Sequence, residues 1–461
     1  MFTKYLSAVI VIAFLFIINT LPSGCANIVP PVGGSRDSLA PVLLKVNPTN
    51  NALNNKEKTI TLNFDEYIQV EDAINKVVIS PLPNIPPEIN GKLRTVTIKL
   101  KDSLEANTTY SIAINGAIKD VNEGNKLNDL VYTFSTGNYI DSNKISGKVI
   151  LAETGKVDTT LIVILHNNLT DSAVTKQRPK YYTKLSADGS FSFTNLPSKT
   201  FNIYTIADEG GQKKYQSPKQ LFGYNATSIN AANNITNVQL YAYIQEKEIP
   251  KIDDTKTTPK DKLKYSTNLS ATGQDILNTL KIIFNQKTVN IDTNKIILTD
   301  TTYKQNLSKQ ITVDSNKKEI TLKTNWVPQT NYRLIIQNTF ATDSKNNFLT
   351  KTDTLKFTTK AITEYGKVTI RFNTLNLAQH WILQLVQNDN IAFTYPLKSL
   401  KLTIANLPPG EYDLRLLQDD NNNGLWDTGS YYTTKKQPEL VTLISKKLSV
   451  RADWDNELDL D

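Results

Sequence analysis

Asp419-Asp420-Asn421-Asn422-Asn423-Gly424-Leu425-Trp426-Asp427 is the stretch whose residue types and spacing come nearest to chemistry. Asp419, Asn421 and Asn423 stand at the first, third and fifth places of an oxygen-ligand loop. Gly424 takes the sixth, where a sharp turn is needed, the Leu425 carbonyl the seventh, and Asp427 the ninth. Hard cations such as calcium take oxygens in this pattern. Ser430 occupies the twelfth place, where a glutamate would complete an EF-hand. That motif is therefore excluded, and the missing oxygen has to come from elsewhere in the chain or from water. The same side chains also stabilise turns by bonding their own backbone, and the sequence leaves a calcium site and an Asx turn side by side as readings. Asp120, Asn122 and Asn125 form a second set with the same two readings, of which the turn is the simpler.

Catalytic groups are scarce. The chain has two histidines, His166 and His380, in unrelated surroundings, and one cysteine, Cys25. A Ser-His-Asp arrangement or a histidine-rich metal centre is improbable on that inventory. No glycine-rich phosphate loop or dinucleotide fingerprint is present. Paired carboxylates would be enough for a glycoside hydrolase, but small all-β modules with short loops offer few deep clefts. The expectation is no enzyme and no catalytic residue. Glycan binding is the alternative function, because Trp326, Trp381, Trp426, Trp454 and the pairs Tyr181-Tyr182 and Tyr431-Tyr432 supply rings that stack on sugars when exposed. Core packing is their other use.

At the N-terminus, Lys4 precedes the almost unbroken apolar run Leu6 to Ile18, and Leu21-Pro22-Ser23-Gly24-Cys25 follows at the place expected for cleavage. The run is too short for a membrane-spanning helix of about 20 residues and reads as an export signal, residues 1–24. The segment resembles a bacterial lipoprotein lipobox, with Pro22 where that pattern prefers leucine. The resemblance implies that Cys25 is acylated, with chains such as palmitate, and becomes the mature N-terminus. Residues 25–42 are rich in proline and glycine and read as a tether. Their Pro31-Val32-Gly33-Gly34-Ser35-Arg36-Asp37-Ser38-Leu39-Ala40-Pro41 is similar to the leader of many Bacteroidota lipoproteins, and the absence of acidic residues in Ala26 to Ser35 points to the periplasmic face of the outer membrane.

The elements that position these groups come from two alternating repeats. Asn195-Leu196-Pro197, with Phe201 to Glu209 behind it, returns 211 positions later as Asn406-Leu407-Pro408 with Tyr412 to Asp420. Before each copy lies another unit: Leu62-Asn63-Phe64 with Asn107-x-x-Tyr110 and Thr133-Phe134-Ser135, echoed by Ile282-Ile283-Phe284 with Gln329-x-x-Tyr332 and Lys356-Phe357-Thr358. Within them, period-two alternation such as Ile60, Leu62, Phe64 and Val96, Ile98, Leu100 predicts short antiparallel strands with one buried face. The first unit resembles the Ig-like domain of bacterial surface-layer proteins over 43–138 and 268–360. The second, with Gly147-x-Val149 and Asp188-Gly189-Ser190-Phe191-Ser192-Phe193-Thr194-Asn195-Leu196-Pro197, resembles the prealbumin-like sandwich of carboxypeptidase regulatory and collagen-adhesin B-type domains over 139–244 and 361–461. That resemblance implies stalks and spacers. Residues 245–267 read as a linker.

The fold class expected is all-β, tandem antiparallel β-sandwiches after a lipoprotein signal peptide. A net charge of +8 invites thoughts of nucleic acid, but 52 Lys and Arg are scattered among 44 Asp and Glu, so no basic patch is built. The function expected is a non-catalytic, lipid-anchored scaffold or interaction arm of the cell envelope. Its expected partners are the membrane, through the lipid, and another envelope protein, with a glycan as the alternative ligand.

Overall fold

The computed structural model describes residues 36–247 and 262–460. Cys25, the tether up to Ser35 and most of the 245–267 segment lie outside the described residues. One compact unit holds the described chain up to Phe134 apart from Ser80–Leu82 and Ala106–Ser111. The other holds those two stretches and the chain from Ser135 onward.

Alternation becomes sandwich in both copies of the repeat called Ig-like after its sequence resemblance. In the first, Leu43–Asn47, Thr59–Phe64, Thr95–Lys99 and Glu88–Lys92 lie side by side, and Leu130–Ser135, Thr109–Ile114 and Val77–Ser80 form the second sheet. Ile60, Leu62, Phe64, Val96 and Ile98 are buried as the period-two pattern requires. The second copy repeats this order with Tyr265–Thr267, Leu280–Phe284, Glu319–Lys323 and Gln310–Val313, and with Asp353–Thr358, Asn331–Ile336 and Ile296–Thr299. Asn107 and Gln329, which enter the tyrosine strands, share a left-handed backbone with φ of 48° and 53°. Strand Tyr265–Thr267 falls inside the segment expected to be linker. Three residues are too few to show a period, and it is tied in by the Tyr265 hydroxyl, which donates to Asp353 Oδ2 at 2.8 Å.

The two copies of the other repeat, called prealbumin-like after its sequence resemblance, also share one topology. Asn143–Leu151 pairs antiparallel with Ser190–Leu196 and parallel with Ile235–Ala242. Gly366–Phe372 does the same with Lys401–Leu407 and Asp455–Leu460. Each of these sandwiches therefore contains a parallel pair and is not wholly antiparallel, because the last strand returns from the opposite sheet beside the first instead of through a hairpin. The opposite sheets run Tyr181–Lys184, Leu161–His166, Thr200–Ala207, Phe222–Tyr224 and Asn390–Leu397, Trp381–Gln387, Gly410–Gln418, Leu440–Val450.

The repeated motifs have local reasons. Leu196 and Leu407 are fully buried behind the Asn-Leu-Pro corners. Asn195 turns the chain with φ of 56°, and in the last copy the Tyr412 hydroxyl closes the corner on the Pro408 carbonyl at 2.9 Å. Gly147 opens the Gly-x-Val motif because a Cβ there would lie 1.9 Å from the carbonyl oxygen of Val238 on the parallel strand. Gly147→Ala is expected to destabilise the module by about 3 kcal/mol, read as a lower denaturation midpoint. An unchanged midpoint would mean that the parallel pair is not formed.

Candidate functional site

The loop Asp419 to Asp427 leaves the end of strand Gly410–Gln418 and is closed by a residue that the sequence did not single out, Glu439. Buried Asp419 accepts the backbone N–H groups of Asn423 at 3.1 Å and Gly424 at 2.8 Å. Asn421 Oδ1 accepts from Asn423 N and Asn423 Oδ1 from Leu425 N. Asp427 receives the side-chain amides of Asn421 and Asn423. The Glu439 carboxylate, itself buried, spans the loop and accepts from Asp420 N and Asp427 N, each at 2.9 Å. Trp426 Nε1 donates to the Glu439 carbonyl at 2.7 Å. Burial pushes the Glu439 carboxyl up, with Asp427 and Asp419 adding to the rise.

The loop is a complete Asx-turn network, and Leu425 projects into solvent. Among the described residues no group of three or more His, Cys, Asp and Glu is disposed to hold a metal ion. To coordinate a cation, Asn421 and Asn423 would have to turn amide oxygens inward beside Asp419, Asp427 and the Leu425 carbonyl. The first copy resolves the same geometry differently. Asp208, which corresponds to Asp419 in the repeat, takes Lys213 N at 2.7 Å and the Lys213 ammonium at 2.9 Å. That ammonium also sits 4.6 Å from the centre of the Tyr182 ring. In the Ig-like copies, Asp120 accepts from the backbone of Glu123, Gly124 and Asn125. Asp343 accepts from Lys345 and Asn347. For both, burial raises the carboxyl pKa, and the N–H donors more than offset it, leaving each carboxyl below its ordinary range.

Most of the aromatic residues considered for sugar stacking are placed elsewhere. Trp326, Tyr181, Tyr182 and Tyr431 are buried, so these residues have no face to offer a sugar. Trp326 packs edge-on against Tyr332 and Phe357. Trp454 is exposed but lies under the Arg451 guanidinium at 5.3 Å. The Tyr431-Tyr432 pair instead joins the two prealbumin-like modules. Tyr431 inserts among Tyr204, Phe222 and Tyr224, with ring centres 5.8, 5.1 and 4.9 Å away. Its hydroxyl lies 3.0 Å from that of Tyr204. Around it, Thr428 Oγ1 donates to the Ile244 carbonyl, Gln437 Nε2 to the Tyr224 carbonyl and Val441 N to the Ala152 carbonyl, while Lys435 pairs with Asp171 at 2.7 Å.

Strand Leu161–His166 explains why such a cover is needed. It is buried at every position. Leu161, Val163 and Leu165 face the module's own core. Ile164 is paired with Tyr204, so His166, two residues on, shares the opposite face with the Tyr431 socket. His166 Nε2 has no hydrogen-bond partner among the described residues, and burial lowers its pKa to about 4. In the C-terminal module Ile382, Leu417 and Val441 form a second apolar cluster on the outer face of their sheet, with Trp426 against it.

Residues 37–136 match the family described as bacterial Ig-like domain, so the chain carries such a domain in its first sandwich. No curated protein matches the chain. Among solved structures, the Bacillus anthracis TIE protein is similar at 13% identity over 93% of this chain and 75% of that one, with a TM-score of 0.17. The N-terminal part of the bacterial S-layer protein SbsC is similar at 18% identity over 43% of this chain and 42% of that one, with a TM-score of 0.16. BcpA, the major pilin subunit of Bacillus cereus, is similar at 11% identity over 69% of this chain and 99% of that one, with a TM-score of 0.17.

Two outcomes follow from the geometry. Glu439→Ala strands the amides of Asp420 and Asp427 and is expected to cost about 2–3 kcal/mol, whereas Glu439→Gln, which keeps an acceptor, costs less. Amide hydrogen exchange at Asp420 and Asp427 reports it, and equal protection in all three proteins would remove the capping role. The unfolded-state pKa of His166 is near its ordinary 6.5 and the folded value is about 4. The stability gained by holding the ring neutral is thus complete above pH 6.5 and is lost as pH falls toward 4. That amounts to about 3 kcal/mol. Denaturant midpoints across this window should flatten in His166→Phe, and an unaltered slope would place the titration elsewhere.

Proposed function

We propose that the chain is a non-catalytic, lipid-anchored protein of the bacterial envelope in which the β-sandwiches serve as a scaffold or interaction arm. The observation that carries this reading is the order apolar run, lipobox-like Leu21-Pro22-Ser23-Gly24-Cys25, proline-rich tether, then modules made of little but packed strands. Cys25 holds the lipid, and acyl carbons contributing about 0.8 kcal/mol each when buried give stable attachment once two or more chains are present. No helix among the described residues is long and apolar enough to cross a membrane, so the lipid supplies the membrane contact in this reading. The periplasmic face of the outer membrane is the proposed location, and another envelope protein the proposed partner. Neither histidine is set up for catalysis, since His166 is walled off from solvent and His380 is exposed on a separate module.

Calcium is proposed at Asp419, Asn421, Asn423, the Leu425 carbonyl and Asp427. Support comes from the first copy, where the carboxylate corresponding to Asp419 already carries a cation, the Lys213 ammonium. The C-terminal copy has no such lysine in the loop and would take its cation from solution.

Metabolic labelling with a fatty-acid analogue tests the anchor. Label is expected on the wild type and absent from Cys25→Ala, and an unlabelled wild type or a labelled variant ends the reading. Calcium is expected to raise the melting temperature of the wild type but not of Asp419→Ala. Coincident melting curves in calcium and in chelator would leave the loop as a turn.

A further inference from the structure

The junction between the prealbumin-like modules is built from two different surfaces, and apart from Gln245 and Lys247 at the start of the connecting segment its contacts come from the modules themselves. Each module has a closed core of its own, so both surfaces exist before they meet. The receiving surface offers Asp171, Tyr204 and Tyr224, and the inserting loop brings Tyr431, Lys435 and Gln437. The fit is close at two glycines. A Cβ on Gly155 of the receiving module would lie 2.8 Å from the Val441 carbonyl oxygen, and one on Gly429 of the inserting loop would lie 2.6 Å from Tyr243 Cζ. Without the loop, the ring of Phe222 and its aromatic neighbours would face water, so this surface needs a cover of matching chemistry.

We propose that this surface also accepts the 428–437 loop of a second copy of the chain, so that copies exchange their C-terminal modules. A second copy carries the one loop shown to fit. Within one chain the two surfaces are tethered through the segment that follows Ile244 and a complete Ig-like sandwich. A tether of that kind holds the loop at an effective concentration on the order of a millimolar or below, so a crowded second copy competes. Because the two surfaces differ, the exchange either closes reciprocally between two copies or continues from copy to copy.

The test uses the full mature chain with Cys25→Ala, in two versions. Gly155→Leu blocks the receiving surface, and Gly429→Leu blocks the loop. Each version alone lacks one half of every junction and is expected to scatter light as a monomer. An equimolar mixture regains one complete junction between copies and is expected to double in mass. Gly429 also lies close to the Lys436 carbonyl of its own loop, and Gly155 has a φ of 69°, where any side chain strains the backbone, so a second pair, Asp171→Lys and Lys435→Asp, is run alongside, where the opposite charges meet only between copies. Mixtures of both pairs that stay at monomer mass, with each chain showing native circular dichroism and cooperative melting, would overturn the proposal.

Discussion

A β-sheet that is apolar on both faces must be kept dry on both, and the strand Leu161–His166 imposes that demand on the second half of the molecule. A sandwich covers one face of each sheet and leaves the other to water. Here the outer face carries Ile164, His166 and Tyr204. The short helix Ala173–Lys176 helps to cover it, with Ala173 and Val174 buried, and so does the loop carrying Tyr215, which stacks on Phe222 at 4.2 Å. The remainder is closed by a loop more than two hundred residues away in sequence. Once that loop is docked, the C-terminal module is fixed against the first prealbumin-like module, and the outer cluster of Ile382, Leu417 and Val441 is covered in the same event.

Much of the fold was legible because packing and backbone geometry write short-range signals. Alternation of Ile60, Leu62 and Phe64 gives a strand with one buried face, and Gly147 and Leu196 mark a close approach and a buried corner. The cross-module packing was less legible, since it depends on pairing residues such as Asp171 and Lys435 that no local pattern connects. One clue was present: the unbroken apolar run Leu161 to Leu165 breaks the period of two and suits a strand covered on both sides, as its burial at every position bears out. Tyrosine pairs are ambiguous on sequence alone, because a ring suits a sugar face and a protein core equally well. Glu439 was missed for a related reason. It stands alone before a strand, and its role appears only when the turn brings it under Asp420 and Asp427.

The repeat copies answer one electrostatic question in different ways. A carboxylate at the end of the central strand is buried in the C-terminal prealbumin-like module and partly buried in the first, and has to be compensated. Asp208 is met by a lysine of its own loop, Lys213. Asp419 is met by backbone N–H groups and lies near Glu439, whose carboxyl is pushed up by burial. Copies that share their core residues have thus diverged in how they handle charge.

The second Ig-like sandwich is inserted between two modules that hold each other directly. Tension applied between the ends of the chain would cross from one prealbumin-like module to the other through Tyr431, Lys435 and the Val441 to Ala152 bond. The inserted sandwich lies in parallel with that route and carries no load until the junction parts. Of the four modules, three therefore lie on the direct route from end to end, and the second Ig-like sandwich lies beside it.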